Sequence, residues 1–124
     1  MAIGLVEYNP RAEWCPKSKP ELQSAIEECL QLSTDCSGGS HGPMASWDVS
    51  AMTDMKELFN QDVVPGADKF NGDISGWDVS KVTNMRVMFY RASSFRGDIS
   101  TWDLSGVTNL WGMFYSASSF KGGI

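Results

Sequence analysis

Apolar residues recur along the chain with two rhythms. Between Pro20 and Leu32 the positions Leu22, Ala25, Ile26, Cys29 and Leu30 fall three and four residues apart, the stripe of an amphipathic helix. Ser18 is a suitable N-cap and Pro20 suits the first turn. Further along, VTNMRVMFYRA (residues 82 to 92) places Val82, Met85, Met88, Phe89 and Ala92 on one face of about two helical turns, with Ser80 or Thr83 as the cap. The segment DISGWDV, residues 73 to 79, is rich in strand formers. Ile74 and Trp77 have opposite parity, however, so one regular strand cannot point both inward, and a bend at Ser75 and Gly76 has to re-aim the chain.

The second rhythm is itself repeated. Residues 70–94 laid over 95–119 are identical at 17 of 25 positions, including Trp77/Trp102, Asp78/Asp103, Thr83/Thr108, Asn84/Asn109 and Phe89/Phe114. An earlier copy runs from His41 through Trp47, Asp48, Thr53, Met55 and Phe59, then carries extra residues around QDVVP; a fourth opens at Phe120. Units this short cannot bury an apolar side alone and do so by stacking on their neighbours.

These patterns predict an α/β chain: a short curved solenoid of about three 25-residue coils, each a strand plus helical turns, with strands on the concave side. The N-terminal helix is its cap. The domains expected are an N-terminal segment and capping helix over 1–40 and repeats over 41–124, divided as 41–69, 70–94, 95–119 and a partial 120–124. The repeated aromatics Trp47, Trp77, Trp102, Phe59, Phe89 and Phe114 are expected in the core.

Charge narrows the partners. A net charge of −5, with ten scattered Lys and Arg against fifteen acids, argues against nucleic acid as the main ligand. The opening MAIGLVEYNP reads as neither a signal peptide nor a membrane span. Cys15, Cys29 and Cys36 match neither redox nor zinc spacing; Cys29 reads as a small buried hydrophobe, and a Cys15 to Cys36 bridge is open in an oxidising compartment.

Repeated Asp residues, Asp48, Asp78 and Asp103 with Asp73 and Asp98, invite a calcium reading. The known calcium loops are absent from the sequence, and an Asp beside a turn accepts backbone N–H bonds, so turn fastening is preferred and no metal or cofactor is expected. The single histidine, His41, lies in a glycine-rich loop with no visible catalytic partner and is read as solvated. No catalytic residues are expected, and the chain is read as a non-enzyme.

The phrase FNGDISGWDVSKVTNMRVMFYRASSF resembles the 25-residue repeat of BspA-like, leucine-rich-repeat-related surface proteins, over roughly residues 41 to 124. The lead-in WCPKSKPELQSAIEECL is similar to the helix that often precedes such repeats. The resemblance implies a binding or adhesion module and a cell-surface or extracellular setting, and brings no catalytic residues. Pro43 and Met44 replace the Asp and Ile of the first copy, and Gly123 replaces the last copy's Asp.

Residues that break the repeat are the candidates for function. Trp111 stands where earlier copies carry Lys56 and Arg86, a solvent-facing slot, and is expected to anchor a protein partner, with Tyr90, Tyr115 and Phe120 as further contacts. The expected function is a non-enzymatic protein-interaction module of surface or adhesion type. The competing expectation is a small structural or linker subunit of a larger assembly, such as an organellar one in an alga, whose neighbours cover the lidless end.

Overall fold

A computed structural model describes residues 14–121. The expectations for the amino-terminal run before Trp14 and for Gly123 lie outside those residues.

The N-terminal helix forms as its pattern dictates. Helix α1 spans Lys19–Leu32, the Ser18 hydroxyl accepts the N–H of Glu21 at 3.2 Å, and Pro20 occupies the first turn, where a missing N–H costs nothing. Leu22, Ala25, Ile26 and Cys29 are buried in the same hydrophobic cluster as Met44, Met52, Met55 and Leu58 of the first repeat copy. Lys19 also reaches Asp54 of that copy at 3.7 Å.

After α1 the chain does not form the expected α/β solenoid of strand-plus-helical-turn coils. Among the described residues there is no strand and no sheet, and α1 is the single α-helix; the remaining regular structure is two one-turn 3₁₀ segments, Met44–Ser46 and Ala67–Lys69. The β-type pairings are isolated parallel bridges, Asp54 to Asn84 and Asn84 to Asn109. With neither sheet nor outer helices, the basis for a curved two-layer stack disappears.

Backbone hydrogen bonding explains why neither element forms. In residues 82–92 one alternate set of N–H groups closes local three-residue turns: Met88 to Met85, Tyr90 to Val87 and Ala92 to Phe89, at 3.0–3.3 Å. The other set, on Met85, Val87, Phe89 and Arg91, donates to the carbonyls of Asn109, Trp111, Met113 and Tyr115 in the next copy, at 2.7–2.9 Å. The first copy repeats the arrangement, with Met55, Glu57, Phe59 and Gln61 donating to Asn84, Arg86, Met88 and Tyr90 at 2.8–3.2 Å. Val87 and Arg91 take left-handed φ values of 48° and 59°, which an α-helix excludes. These donors are thus satisfied by a chain of turns, and the three- and four-residue apolar spacing serves those turns as well as it would serve a helix. Val82, Met85, Met88, Phe89 and Ala92 are all fully buried, as their pattern requires.

Repeat copies lie in register on one another. Phe59, Phe89 and Phe114 form one column with ring centroids 5.3 and 5.4 Å apart, and Phe70, Phe95 and Phe120 form a second at 5.8 and 5.9 Å. The columns touch where one copy passes into the next, at 4.3 Å for Phe59 and Phe70 and 4.4 Å for Phe89 and Phe95. Trp47, Trp77 and Trp102 are buried beside them.

The glycine of the F-x-G phrase has a packing reason. A Cβ on Gly97 would sit 2.6 Å from Cε1 of Phe95, because the Phe ring folds back across the glycine two residues on; Gly72 and Phe70 show the same contact at 2.7 Å.

Two local readings change. Cys29 pairs with Cys36, and Cys15 is the exposed free thiol, so the bridge is neither Cys15 to Cys36 nor absent. His41 is not simply solvated: its ring stacks on Trp14 at 3.8 Å, and Trp47 meets both rings edge-on, at 5.1 Å from Trp14 and 6.4 Å from His41.

Candidate partner-binding surface

Because copies stack in register, equivalent side chains form columns running across the copies. One column is Lys56, Arg86 and Trp111, placed by the turn that begins at Asp54, Asn84 and Asn109. In each copy the Asx side chain accepts the N–H of the residue two further on, Lys56, Arg86 and Trp111, at 2.9–3.0 Å, so the same hydrogen bond fixes all three. The swap of cation for indole therefore changes surface chemistry without changing the backbone that presents it.

Trp111 is 62% exposed, as its slot implies. The Arg86 guanidinium lies 4.5 Å from the centroid of its ring, a cation–π contact that holds the indole flat against the preceding copy. Beside it Tyr90 and Tyr115 stack at 5.0 Å, and Arg91 lies 5.5 Å from the centroid of the Tyr90 ring while reaching Asp62 at 3.9 Å. Tyr115 is 57% exposed. A shallow groove of about 360 Å³ runs between these columns, lined by Lys56, Asn60, Val63, Arg86, Tyr90 and Trp111. Its lining mixes both charge signs, Glu57 and Asp62 with Lys56 and Arg86.

The structure brings together three of the four residues expected from sequence. Trp111 and Tyr90 line the groove and Tyr115 stacks on Tyr90. Phe120 stands apart. It is half-buried in the second phenylalanine column, 4.0 Å from Phe114 and 5.9 Å from Phe95. Arg86 was missed as a candidate, because the column partner of an exposed Trp is visible only once the period is read as vertical stacking.

The repeated aspartates fasten their own turns. Asp48, Asp73 and Asp78 each accept both the N–H and the hydroxyl of the serine two residues on, with Oγ to Oδ1 distances of 2.6–2.7 Å. Asp98 and Asp103 accept the N–H of Ser100 and Ser105 at 2.9 and 3.0 Å. In all five the serine hydroxyl, and after it the serine N–H, holds the carboxyl below its ordinary pKa, against a smaller upward push from burial. Glu28 is lowered in the same way by the Ser40 hydroxyl and N–H, which tie α1 to the loop ahead of the first copy. Among the described residues no group of three or more His, Cys, Asp or Glu side chains is placed to hold a metal ion, and no helix is long and apolar enough to cross a membrane.

No curated protein and no solved structure matches the chain. Residues 25–124, most of its length, match the family described as "Mycoplasma protein of unknown function, DUF285", and the chain belongs to that family.

Proposed function

We propose that this chain is a non-enzymatic protein-interaction module that uses the Trp111 groove to hold a protein partner. The supporting observation is Trp111 itself: a large indole, mostly in solvent, pinned by Arg86 on a backbone that its copies use for cations. An aromatic beside an arginine, with little conformational freedom left to lose, is the composition that dominates protein contact energies. Membership of a repeat family and the resemblance of the phrase to BspA-like surface repeats agree with a contact role at a cell surface.

Purification of the tagged chain from its native source, beside a Trp111→Ala variant, tests the reading. The expected result is a protein held at fixed stoichiometry by the wild type and lost from the variant, with circular dichroism unchanged. A wild-type chain that purifies alone, or a partner retained by Trp111→Ala, overturns it.

The alternative, a linker subunit of a larger assembly, draws on the apolar side chains of the third copy, where Leu110 is 40% exposed and Phe114, like Phe120 after it, is only half-buried. A complex of several different subunits that survives Trp111→Ala favours that alternative.

A further inference from the structure

The groove beside Trp111 is lined by hydrogen-bond donors that the fold does not use. Trp47, Trp77 and Trp102 each donate the indole N–H to a backbone carbonyl. Trp111 differs: its backbone N–H is bonded to Asn109 at 3.0 Å, but its indole N–H meets no acceptor among the described residues. Asn60 stands at the base of the groove, 5% exposed. Its Oδ1 accepts the N–H of Asp62 at 2.8 Å, which fixes the side chain and leaves the Nδ2 amide, again without an acceptor among the described residues, as a donor to the groove. Lys56 and Arg86 add two cations, and the ion pairs among the described residues, Lys19 to Asp54 and Arg91 to Asp62, involve neither.

Stacked copies extend this groove without covering it. The second copy lies on the first and the third on the second, yet Lys56 still lines the groove and Arg86 stays exposed. Its base, at Asn60 and Val87, belongs to the first and second copies.

The shortage of acceptors selects the occupant. An ordinary extended peptide brings one N–H for every C=O. Here Asp62 is already turned to Arg91 at 3.9 Å, which leaves the Glu57 carboxylate to receive them. A sugar, whose hydroxyls donate as well as accept, meets the same shortage. A proline-rich segment brings carbonyls with the N–H groups removed, is already extended as polyproline II before it binds, and packs its rings against aromatic side chains. The dimensions agree. Two rungs of the column from Asn60 through Tyr90 to Tyr115, about 10 Å at the 5.0 Å spacing of the tyrosine rings, match one turn of polyproline II, about 9 Å. Glu57 suits a basic residue flanking the prolines. No two of the five prolines in this sequence stand three residues apart, so the sequence itself contains no Pro-x-x-Pro.

We propose that the Trp111 groove is a polyproline II site: it takes a Pro-x-x-Pro segment of a partner protein, whose carbonyls accept from the Asn60 amide, the Tyr90 hydroxyl and the Trp111 indole. The inference rests on the reading of this groove as the partner-binding surface and names the chemistry of what binds there.

A synthetic array of Pro-x-x-Pro peptides, randomised at the x and flanking positions and probed with the full chain, tests it beside an array with both prolines replaced by alanine. The expected result is retention on a subset of the proline array and none of the alanine array. In an NMR titration a retained peptide is expected to shift the Trp111 indole and Asn60 side-chain amide resonances. Trp111→Ala, and Asn60→Asp, which keeps an oxygen for the Asp62 N–H and loses the amide donor, are each expected to weaken that peptide about tenfold or more, with thermal melts unchanged. Tyr90→Phe, which removes a hydroxyl alone, is expected to weaken it about three- to tenfold. The inference is overturned if the proline array retains nothing, if the alanine array does as well, or if a retained peptide binds Trp111→Ala and Tyr90→Phe as tightly as the wild type. Cellohexaose shifting the same resonances while no peptide does so also overturns it, since the ligand is then a sugar. A native partner that Trp111→Ala sheds while the array stays empty overturns the proline chemistry alone and leaves the partner-binding reading standing.

Discussion

Trp102 donates its indole N–H to the carbonyl of Ile74, 3.0 Å away and 28 residues earlier, in the copy beneath its own. Trp77 does the same to Met44 at 3.0 Å, across 33 residues, so one bond ties each tryptophan to the copy before it. Both bonds are buried, and each carbonyl also accepts a local turn N–H at 3.1 Å, Ile74 that of Trp77 and Met44 that of Trp47. Trp102→Phe keeps most of the ring packing and removes this bond, while the Ile74 carbonyl keeps the N–H of Trp77 at 3.1 Å. Urea unfolding of this variant is expected to show a loss of about 0.5 to 1.5 kcal/mol, and an unchanged midpoint would mean that the indole N–H does not set the register.

Gly97 and Gly76 differ in what surrounds them, and the difference predicts opposite results from one substitution. Gly97→Ala drives a methyl into the Phe95 ring, itself wedged between Phe70, Phe89 and Phe120. The expected loss is about 1 to 3 kcal/mol by overpacking. Gly76 has nothing within 4 Å of an added Cβ and no left-handed φ. Gly76→Ala is therefore expected to be neutral or to stabilise by up to about 1 kcal/mol, and thermal melts of the two variants make the comparison.

Serine-bonded aspartates make stability fall in acid. Asp48, Asp73, Asp78, Asp98 and Asp103 have folded pKa values below the ordinary 3.8 because serine hydroxyl and N–H groups bond the ionised form. The unfolded chain, with the higher values, binds more protons in the interval between the two. Their contribution is therefore complete above the unfolded pKa and is lost as pH falls through the folded values. Urea midpoints are expected to be flat above about pH 5 and to decline below about pH 4. Ser80→Ala should move the Asp78 carboxyl upward in an NMR titration, and an unmoved resonance would remove the hydroxyl from the account.

How much of this was legible beforehand depended on which partner each group chose. Burial of Val82, Met85, Met88 and Phe89 follows from the apolar spacing alone, and the Ser18 cap with Pro20 specifies α1 without help from elsewhere. The conformation of residues 82–92 does not follow, because it is decided by carbonyls 24 residues away: bonds such as Phe89 to Met113 replace those a helix would have made. Gly112 was the available hint, a residue that prefers left-handed φ standing in the column of Glu57 and Val87. The same limit hid the Trp14–His41–Trp47 cluster, whose members are brought together by folding over a separation that periodicity does not measure. Trp111 was legible because its column is defined by the period itself.

The Cys29–Cys36 bridge closes a short loop, seven residues in separation, between the buried face of α1 and the entry to the first copy. Met44 donates its N–H to the Cys36 carbonyl at 2.9 Å, so the bridge fixes the place where the repeat begins. Cross-linking a loop of this size removes unfolded-state entropy worth about 2 to 3 kcal/mol. The Cys29→Ala/Cys36→Ala pair, or reduction of the wild type, is expected to lower stability by that amount, and Cys15→Ser to leave it unchanged. Thiol titration of the unfolded, unreduced protein should find one reactive cysteine, Cys15; three would mean that the bridge does not form, and the first copy would then depend on α1 packing alone.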